Sequence, residues 1–335
     1  GERKGSLLGT LDTTITPMGK RLIHQWASQP LLSVEKIVHR QNGVQYFFSN
    51  GMMRAELRNA LKPLADLERL INRVIAGQAQ PRDLVAMRNT LEGIPNVLGS
   101  FEGRANSEEA KLPKLDVLSN ELSLLQNAID DDPPATLQNT GVIRAGYSAE
   151  LDGVIEASKH ARDWIANLEG IEREKTGIKT LKVGYNKVFG YYIEISRGAA
   201  DKAPESYIRK QTLVNAERFI TPEMKEYETL VLNAEERIKE IEMRLFREVC
   251  AELSKAANRI LSTARAIAEL DVLSALGEAA ALGGYNRPEV HEGSEMEIHE
   301  GRHPVVEQLL KGDRYIPNDV IFEKGEVVRI ITGPN

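Results

Sequence analysis

Residues 223–276 contain neither glycine nor proline, the two residues that most readily end a helix. At about 1.5 Å per residue, this stretch predicts one helix, or a nearly unbroken pair of helices, on the order of 80 Å long. Strict heptads are not kept, so the stretch favours packing against other helices of the chain over a coiled-coil rod. Apolar residues at every third or fourth position form one stripe, namely Val231, Ala234, Ile238, Ile241, Leu245, Val249, Leu253, Ala256, Ile260, Ala264 and Ile267.

Residues 1–164 show a similar helical periodicity. Thr16 and Pro17 supply an N-cap and a proline at the first helical position, and Ser33 caps the next predicted helix. The pattern breaks at residues 99–113 and again at 130–134, which read DDDPP. We expect these helices to form a structural core without a catalytic role. One apolar series at helical spacing is Leu61, Leu64, Leu67, Leu70 and Ile71.

Residues 180–196, TLKVGYNKVFGYYIEIS, change character and alternate between apolar and polar positions. Leu181, Val183 and Tyr185 share one side before a turn at residues 186–190, and the alternation resumes after it. This pattern predicts a β-hairpin, with the glycine at position 190 adopting a positive φ.

A further change follows the glycines at positions 283 and 284, where short strands are predicted around residues 297–298 and 327–332. The predicted fold class is therefore mainly α, with a β-rich module inserted between helices and the beginning of an α/β domain at the end.

Composition excludes several classes of protein. The 335 residues include one cysteine, Cys250, so an internal disulfide framework and a cysteine-based zinc cluster are excluded and a reducing, cytosolic setting is favoured. No run of about 18 apolar residues predicts a membrane span. The net charge of −6 gives no overall sign of nucleic-acid binding.

The average charge hides a basic segment at residues 175–218. It holds nine lysines and arginines and four acids, so it carries +5 while the rest of the chain carries −11. Asn186, Thr212 and Asn215 lie among these cations. Such a mixture suits phosphate contacts, in which charge supplies affinity and short polar groups fix the register. A basic surface that is merely solvated remains the alternative.

The sequence HEGRH at residues 299–303 matches the HExxH pattern of zinc proteases, which needs both histidines on one face of a helix. Pro304 disfavours helical geometry at His303, and Gly301 weakens a helix further. We therefore reject a zinc hydrolase and expect turn or packing roles for both histidines.

A hydrophobic strand that leads into a glycine turn, as at residues 327–335, is also how a P-loop begins. Only Gly333 of the fixed positions is present. The surrounding residues add to this weak signal, because EGRHPVVEQ (300–308), YIPND (315–319) and IITGPN (330–335) closely resemble the beginning of the ATPase domain in the MutS family of DNA mismatch-repair proteins.

The resemblance extends over essentially the whole chain. GSLLGTLDTTITPMGKRLI (5–23) and DLERLINRV (66–74) resemble the lever helices of the family, and KVGYNKVFGYYIEISRG (182–198) with YIRKQTLVNAERFITPEMKEYE (207–228) is similar to its DNA clamp. The implied domains are a helical core and lever at 1–164, the clamp at 165–222, the returning lever helix at 223–285, and the start of the ATPase domain at 286–335. The fold implied is a helical lever bundle with a β-hairpin clamp at its tip.

The resemblance also implies site residues. In the family the clamp grips the backbone of duplex DNA without reading sequence, a role that would fall here on Asn186, Lys187, Arg197, Arg209, Lys210, Thr212 and Asn215. Tyr315 resembles the aromatic residue that stacks on adenine, and Gly333, Pro334 and Asn335 match the first residues of the phosphate loop. We expect the phosphate loop to be cut after its third residue, so the fragment is expected not to be an enzyme and not to bind ATP or Mg²⁺ well.

The whole protein implied by the resemblance recognises mismatched duplex DNA as an ATP-dependent homodimer, uses Mg²⁺, recruits MutL, and acts in the bacterial cytosol. This part would grip the duplex backbone non-specifically and couple the ATPase to the clamp. A structural helical rod with no DNA role is the alternative.

Overall fold

The computed structural model describes residues 5–103, 110–186, 188, 190–310, 314–322, 325–330 and 332–333, without the side chain of Leu232. The chain forms two compact units. The first comprises Gly1–Ala79, Ala86–Ser123 and Glu252–Asn335, and the second comprises Gln80–Val85 and Leu124–Ala251. Most described residues are helical and a small sheet is antiparallel, which confirms a mainly α fold with some β structure.

The elements follow in chain order. The helices are α1 (Leu7–Leu11), α2 (Pro17–Ser28), α3 (Val34–Ser49), α4 (Gly51–Leu61), α5 (Leu67–Ile75), α6 (Pro81–Gly99), α7 (Ser119–Ala128), α8 (Ala149–Thr176), α9 (Pro222–Lys255), α10 (Ala257–Gly283) and α11 (Pro304–Leu309). The strands are β1 (Lys182–Asn186), β2 (Gly190–Ser196), β3 (Ile208–Thr212), β4 (Ala216–Ile220), β5 (Met296–Gly301) and β6 (Asn318–Phe322), and a 3₁₀ helix spans Arg197–Lys202.

Helix α10 is the central element of the first unit and packs against α2, α3, α4 and α5. Its residues 270–275 are all buried, which is the pattern of a helix surrounded by other helices. The predicted apolar series from Leu61 to Ile71 is buried as well. The first unit is therefore a helical bundle, as its periodicity predicts.

A buried carboxylate fixes the start of α2. Thr16 is the N-cap and Pro17 the first helical residue, which confirms the prediction. Asp271 Oδ2 accepts hydrogen bonds from the Thr16 amide and hydroxyl, each at 2.7 Å, and Oδ1 accepts from Ile15 N at 2.9 Å. Burial raises the pKa of Asp271, although these donors oppose the shift. A Cβ atom on Gly19 would lie 2.2 Å from Asp271 Oδ2, so this position requires glycine.

The second unit carries a four-stranded antiparallel sheet in the order β1-β2-β4-β3. Strands β1 and β2 form the predicted hairpin, and Gly190 has the predicted positive φ, at +84°. The inner face of the sheet packs on side chains of α8 and α9. The core consists of Leu168, Ile178, Leu181, Ile193, Ile195, Tyr207, Phe219 and Met224.

The long glycine- and proline-free stretch forms a pair of helices, as predicted. Helix α9 ends at Lys255 and α10 begins at Ala257, and Ala256 between them donates its N–H to Leu253 O, three residues back. No helix-breaking residue stands at this point, and the sequence does not explain why the interruption falls there. Stripe residues such as Ile241, Val249 and Ile260 are buried.

The predicted strand at residues 327–332 is wrong for the described part of that range. Val327, Val328 and Ile330 are 86%, 75% and 85% exposed and belong to no strand, and Ile331 lies outside the described residues. A strand needs a neighbouring strand for its backbone hydrogen bonds. Among the described residues that follow Gly284, only β5 and β6 pair, and neither borders this segment.

The HExxH residues do not share a helix, as predicted. His299 lies in β5, where Nε2 is 2.6 Å from Glu297 Oε1, and this hydrogen bond raises the pKa of His299. His303 is the N-cap of α11, with Pro304 at its first position. In the described part of the chain, no group of three or more His, Cys, Asp or Glu side chains is placed to hold a metal ion. None of the described helices is long and apolar enough to cross a membrane.

Candidate nucleic-acid interface

The outer face of the four-stranded sheet carries a polar row that runs across all four strands. Lys182, Glu194 and Arg218 are in register on β1, β2 and β4, and Gln211 of β3 lies opposite Arg218. The row follows from alternation along β2, whose Ile193 and Ile195 point into the core. The sheet thus separates an apolar inner face from a charged outer face.

Arg218 is held by three neighbours within this face. Its Nε lies 2.9 Å from Glu194 Oε2, its Nη1 donates to Gln211 Oε1 at 3.1 Å, and its guanidinium lies 4.2 Å from the centre of the Tyr192 ring. An arginine fixed by an ion pair, an amide and an aromatic ring stabilises the sheet. It has less freedom to contact an external phosphate.

Arg209, a predicted phosphate contact, is also paired inside the sheet. Its Nη2 lies 2.9 Å from Glu217 Oε2, and Glu217 is buried. Both residues project on the side of Phe219, whose ring centre is 5.9 Å from the Arg209 guanidinium. Arg209 therefore neutralises an internal acid.

Lys210 differs from the arginine beside it. The register of β3 against β4 shifts between Arg209 and Gln211, which leaves Lys210 as the extra residue of a β-bulge. Its side chain is exposed, and no carboxylate of the described residues lies within 4 Å of its ammonium group. Since β3 is an edge strand, this lysine also discourages pairing with other strands.

The β3–β4 turn brings three of the predicted residues together. Arg197 N donates to Asn215 O at 3.0 Å, and its guanidinium donates to Val214 O at 3.5 Å. Thr212 ends β3 directly before this turn. Arg197, Thr212 and Asn215 are all exposed, so this end of the sheet presents a cation, a hydroxyl and an amide to solvent.

Asn186 lies at the other end of the sheet. It pairs with Gly190 across the β1–β2 turn, and its Oδ1 accepts from Val188 N at 2.7 Å. Six residue steps separate Gly190 from Ser196, which is about 20 Å of strand. Among the described predicted contacts, Asn186 therefore lies at one end of the sheet, the group of Arg197, Thr212 and Asn215 lies at the other, and Arg209 and Lys210 lie between them. Lys187 lies outside the described residues.

Comparison with known proteins gives the family. The family model described as MutS domain III matches residues 1–277, which include the whole four-stranded sheet. The DNA mismatch repair protein MutS of Acetivibrio thermocellus is 43% identical over 335 residues, which cover 99% of this chain and 38% of that relative. The protein of the same name in Dehalococcoides mccartyi is 46% identical over 334 residues, covering 99% of this chain and 39% of the relative.

The chain belongs to the MutS family of DNA mismatch-repair proteins. It spans less than two fifths of the length of these relatives. The resemblance drawn from the sequence motifs is thereby confirmed.

The sequence-based choice of contacts in this MutS-family chain omitted three exposed lysines of the sheet module, which we define as residues 177–220. Lys179 precedes β1, Lys182 lies in β1, and Lys202 ends the 3₁₀ helix. None of them has a carboxylate of the described residues within 4 Å, whereas Lys175 lies 3.5 Å from Glu172. These lysines are among the nine cations of the basic segment. The sequence does not show which of those cations lack an acidic partner, whereas the ion pairs of the folded sheet do.

Two of the four residues predicted to contact nucleotide, Tyr315 and Gly333, lie among the described residues. Tyr315 is half-buried and precedes β6, and Gly333 is exposed. A Cβ atom added to Gly333 would meet no atom of the described residues within 4 Å. Pro334 and Asn335 lie outside the described residues.

Proposed function

We propose that the sheet module of this MutS-family chain binds the sugar–phosphate backbone of duplex DNA without reading its sequence. The observation that carries the proposal is the set of exposed cations without an acidic partner among the described residues, which sets them apart from the paired Arg209 and Arg218. The set, called the unpaired cations below, consists of Lys179, Lys182, Arg197, Lys202 and Lys210.

The chemistry of these side chains suits backbone contact. An exposed lysine carries a compact charge on a flexible stem and can neutralise a phosphate, which releases condensed counterions from the duplex. Thr212 and Asn215 beside Arg197 offer short polar groups that can fix the register of the duplex. The paired arginines keep the strands together and contribute little to this charge.

Several further properties are proposals for the whole protein. They are recognition of mismatches by an ATP-dependent homodimer, recruitment of MutL, use of Mg²⁺, action in the bacterial cytosol, and a lever that couples the ATPase to the clamp. The family of the chain supports them. We propose that ATP binds only where the longer protein completes the site, since this chain spans less than two fifths of the length of its relatives. The boundaries of the four predicted domains also remain predictions.

Duplex binding across a salt series, with matched and mismatched oligonucleotides in parallel, tests the proposal. We expect weak binding with equal affinity for both duplexes and a log–log slope of about −0.9 for each phosphate contacted. Absence of binding at low salt would contradict it. A clear preference of this chain for the mismatched duplex would contradict the statement that the contact is non-specific.

A further inference from the structure

The β1–β2 turn meets helix α9 at one unusually close contact. A Cβ atom on Gly190 would lie 1.7 Å from Glu228 Oε1 and 2.5 Å from Glu228 Cδ. The φ of Gly190 is +84°, a conformation that also favours glycine. Glycine at this position therefore allows the backbone of the hairpin to lie directly against a carboxylate of α9.

Glu228 is an interior acid that binds the hairpin. The residue is 7% exposed. Its Oε1 accepts the Tyr191 N–H at 3.3 Å, and its Oε2 lies 2.6 Å from Lys225 Nζ one turn earlier on α9. A charged acceptor with two donors in a shielded place gives a stronger bond than a neutral pair at the surface.

This contact lies next to the predicted DNA-binding residue Asn186. Gly190 and Tyr191 begin β2, and they pair with Asn186 and Tyr185 of β1. A shift at the start of β2 would therefore move the end of β1 with it. Among the described residues of α9, Glu228 is the one whose carboxylate accepts a hydrogen bond from the Tyr191 amide.

We propose that Glu228 is a positioning residue: it holds the β1–β2 end of the sheet module on α9 in the orientation that contacts the duplex backbone. The inference rests on the proposed function. It deepens that function by adding a negatively charged residue whose presence increases affinity for a polyanion. Electrostatics alone predicts the opposite effect on affinity, since loss of an acid near a DNA-binding surface strengthens the attraction to phosphate.

Because the two explanations predict opposite changes in affinity when Glu228 is removed, two matched variants test them directly. Glu228→Ala and Glu226→Ala each remove one negative charge from the second turn of α9, and Glu226 is exposed and makes no ion pair with the described residues. We expect Glu226→Ala to bind duplex as tightly as the unchanged chain or slightly more tightly. Glu228→Ala should bind about twofold more weakly with an unchanged salt slope, because it displaces the uncharged amide of Asn186 and not one of the unpaired cations. Equal or tighter binding by a folded Glu228→Ala variant would overturn the proposal.

Two further measurements cover a variant that folds poorly. Glu228→Asp keeps the charge but shortens the side chain by one methylene, and the proposal predicts weaker binding for it too; unchanged affinity would contradict the positioning role. Hydrogen exchange at the Tyr191 amide needs no DNA. It should accelerate in Glu228→Ala or Glu228→Asp and stay unchanged in Glu226→Ala.

The two proposals fail in distinguishable ways. If the unchanged chain does not bind duplex at low salt, the proposed function fails, and amide exchange at Tyr191 alone decides whether Glu228 holds the turn. If the unchanged chain binds and Glu228→Ala binds equally well, only the positioning role is overturned.

Discussion

The two turns of the four-stranded sheet are held in different ways. At the β1–β2 turn, Gly190 lies against the carboxylate of Glu228, a residue of α9 that is 7% exposed. At the β3–β4 turn, Val214 is 83% exposed, and its carbonyl accepts a hydrogen bond from the guanidinium of Arg197, which is itself exposed. One end of the sheet is fixed by the interior of the unit, while the other depends on hydrogen bonds within the sheet.

A similar difference separates two adjacent residues of β3. Arg209 is paired with the buried Glu217, whereas Lys210 stands in a bulge with no acid of the described residues nearby. Two neighbouring positive charges therefore differ in their surroundings: Arg209 neutralises a buried acid, and we propose a binding role for Lys210. The sign of a side chain's charge does not distinguish these roles, but its partners do.

The largest expected effect is at the anchored turn. Gly190→Ala places a methyl group against the Glu228 carboxylate at a positive φ, and we expect it to lower the free energy of unfolding by about 3 kcal/mol. The matched control is Gly198→Ala in the 3₁₀ helix, where a Cβ atom meets nothing within 4 Å and φ is not positive. The control should change stability by about 0.5 kcal/mol or less. Urea unfolding of both variants measures the difference, and equal stabilities would show that the contact with Glu228 relaxes without cost.

The next effect separates Arg209 from Lys210. Arg209→Ala leaves the buried Glu217 without its cation, so we expect a decrease of about 1 kcal/mol in the free energy of unfolding. Lys210→Ala should leave stability almost unchanged and weaken duplex binding about threefold, because one phosphate is no longer neutralised. Unfolding and duplex titrations are made on both variants. If Arg209→Ala reduces the affinity for duplex more than Lys210→Ala does at equal stability, the assignment of different roles to these two residues is wrong.

The smallest effect is expected at the exposed turn. Asn215→Ala keeps the backbone carbonyl that accepts the Arg197 N–H, so the turn should persist. Removal of an uncharged amide changes no counterion release, and duplex affinity should fall by about twofold or less with an unchanged salt slope. A larger decrease, measured in the same titrations, would show that Asn215 contributes more than register.

Much of the fold could be predicted from the sequence because its signals are local. The glycine- and proline-free stretch predicts α9 and α10, Thr16 and Pro17 predict the start of α2, and alternation around Gly190 predicts the first hairpin. The prediction of a strand at residues 327–332 was wrong for the described part of that range. β-branched residues favour a strand, but they do not supply the neighbouring strand with which it must pair.

The site was less predictable than the fold. Charge counting located the basic segment, and the family motifs gave candidate residues within it. Neither could show that Arg209 is paired with Glu217, or that Lys182 is unpaired, because these contacts depend on the register of β4 against its neighbours. The contact of Glu228 with Gly190 joins residues 38 positions apart, and no short motif indicates it.

The salt dependence of duplex binding tests most directly whether the unpaired cations hold the duplex. One variant changes the four lysines among them to alanine, and a control with the same change in charge alters four exposed lysines of the first unit. The sites in the first variant are Lys179, Lys182, Lys202 and Lys210, and those in the control are Lys20, Lys36, Lys62 and Lys114. We predict that the log–log slope of the first variant becomes shallower by about 0.9 for each phosphate that it no longer neutralises, while the control keeps the slope of the unchanged chain. Equal slopes for all three proteins would contradict the account.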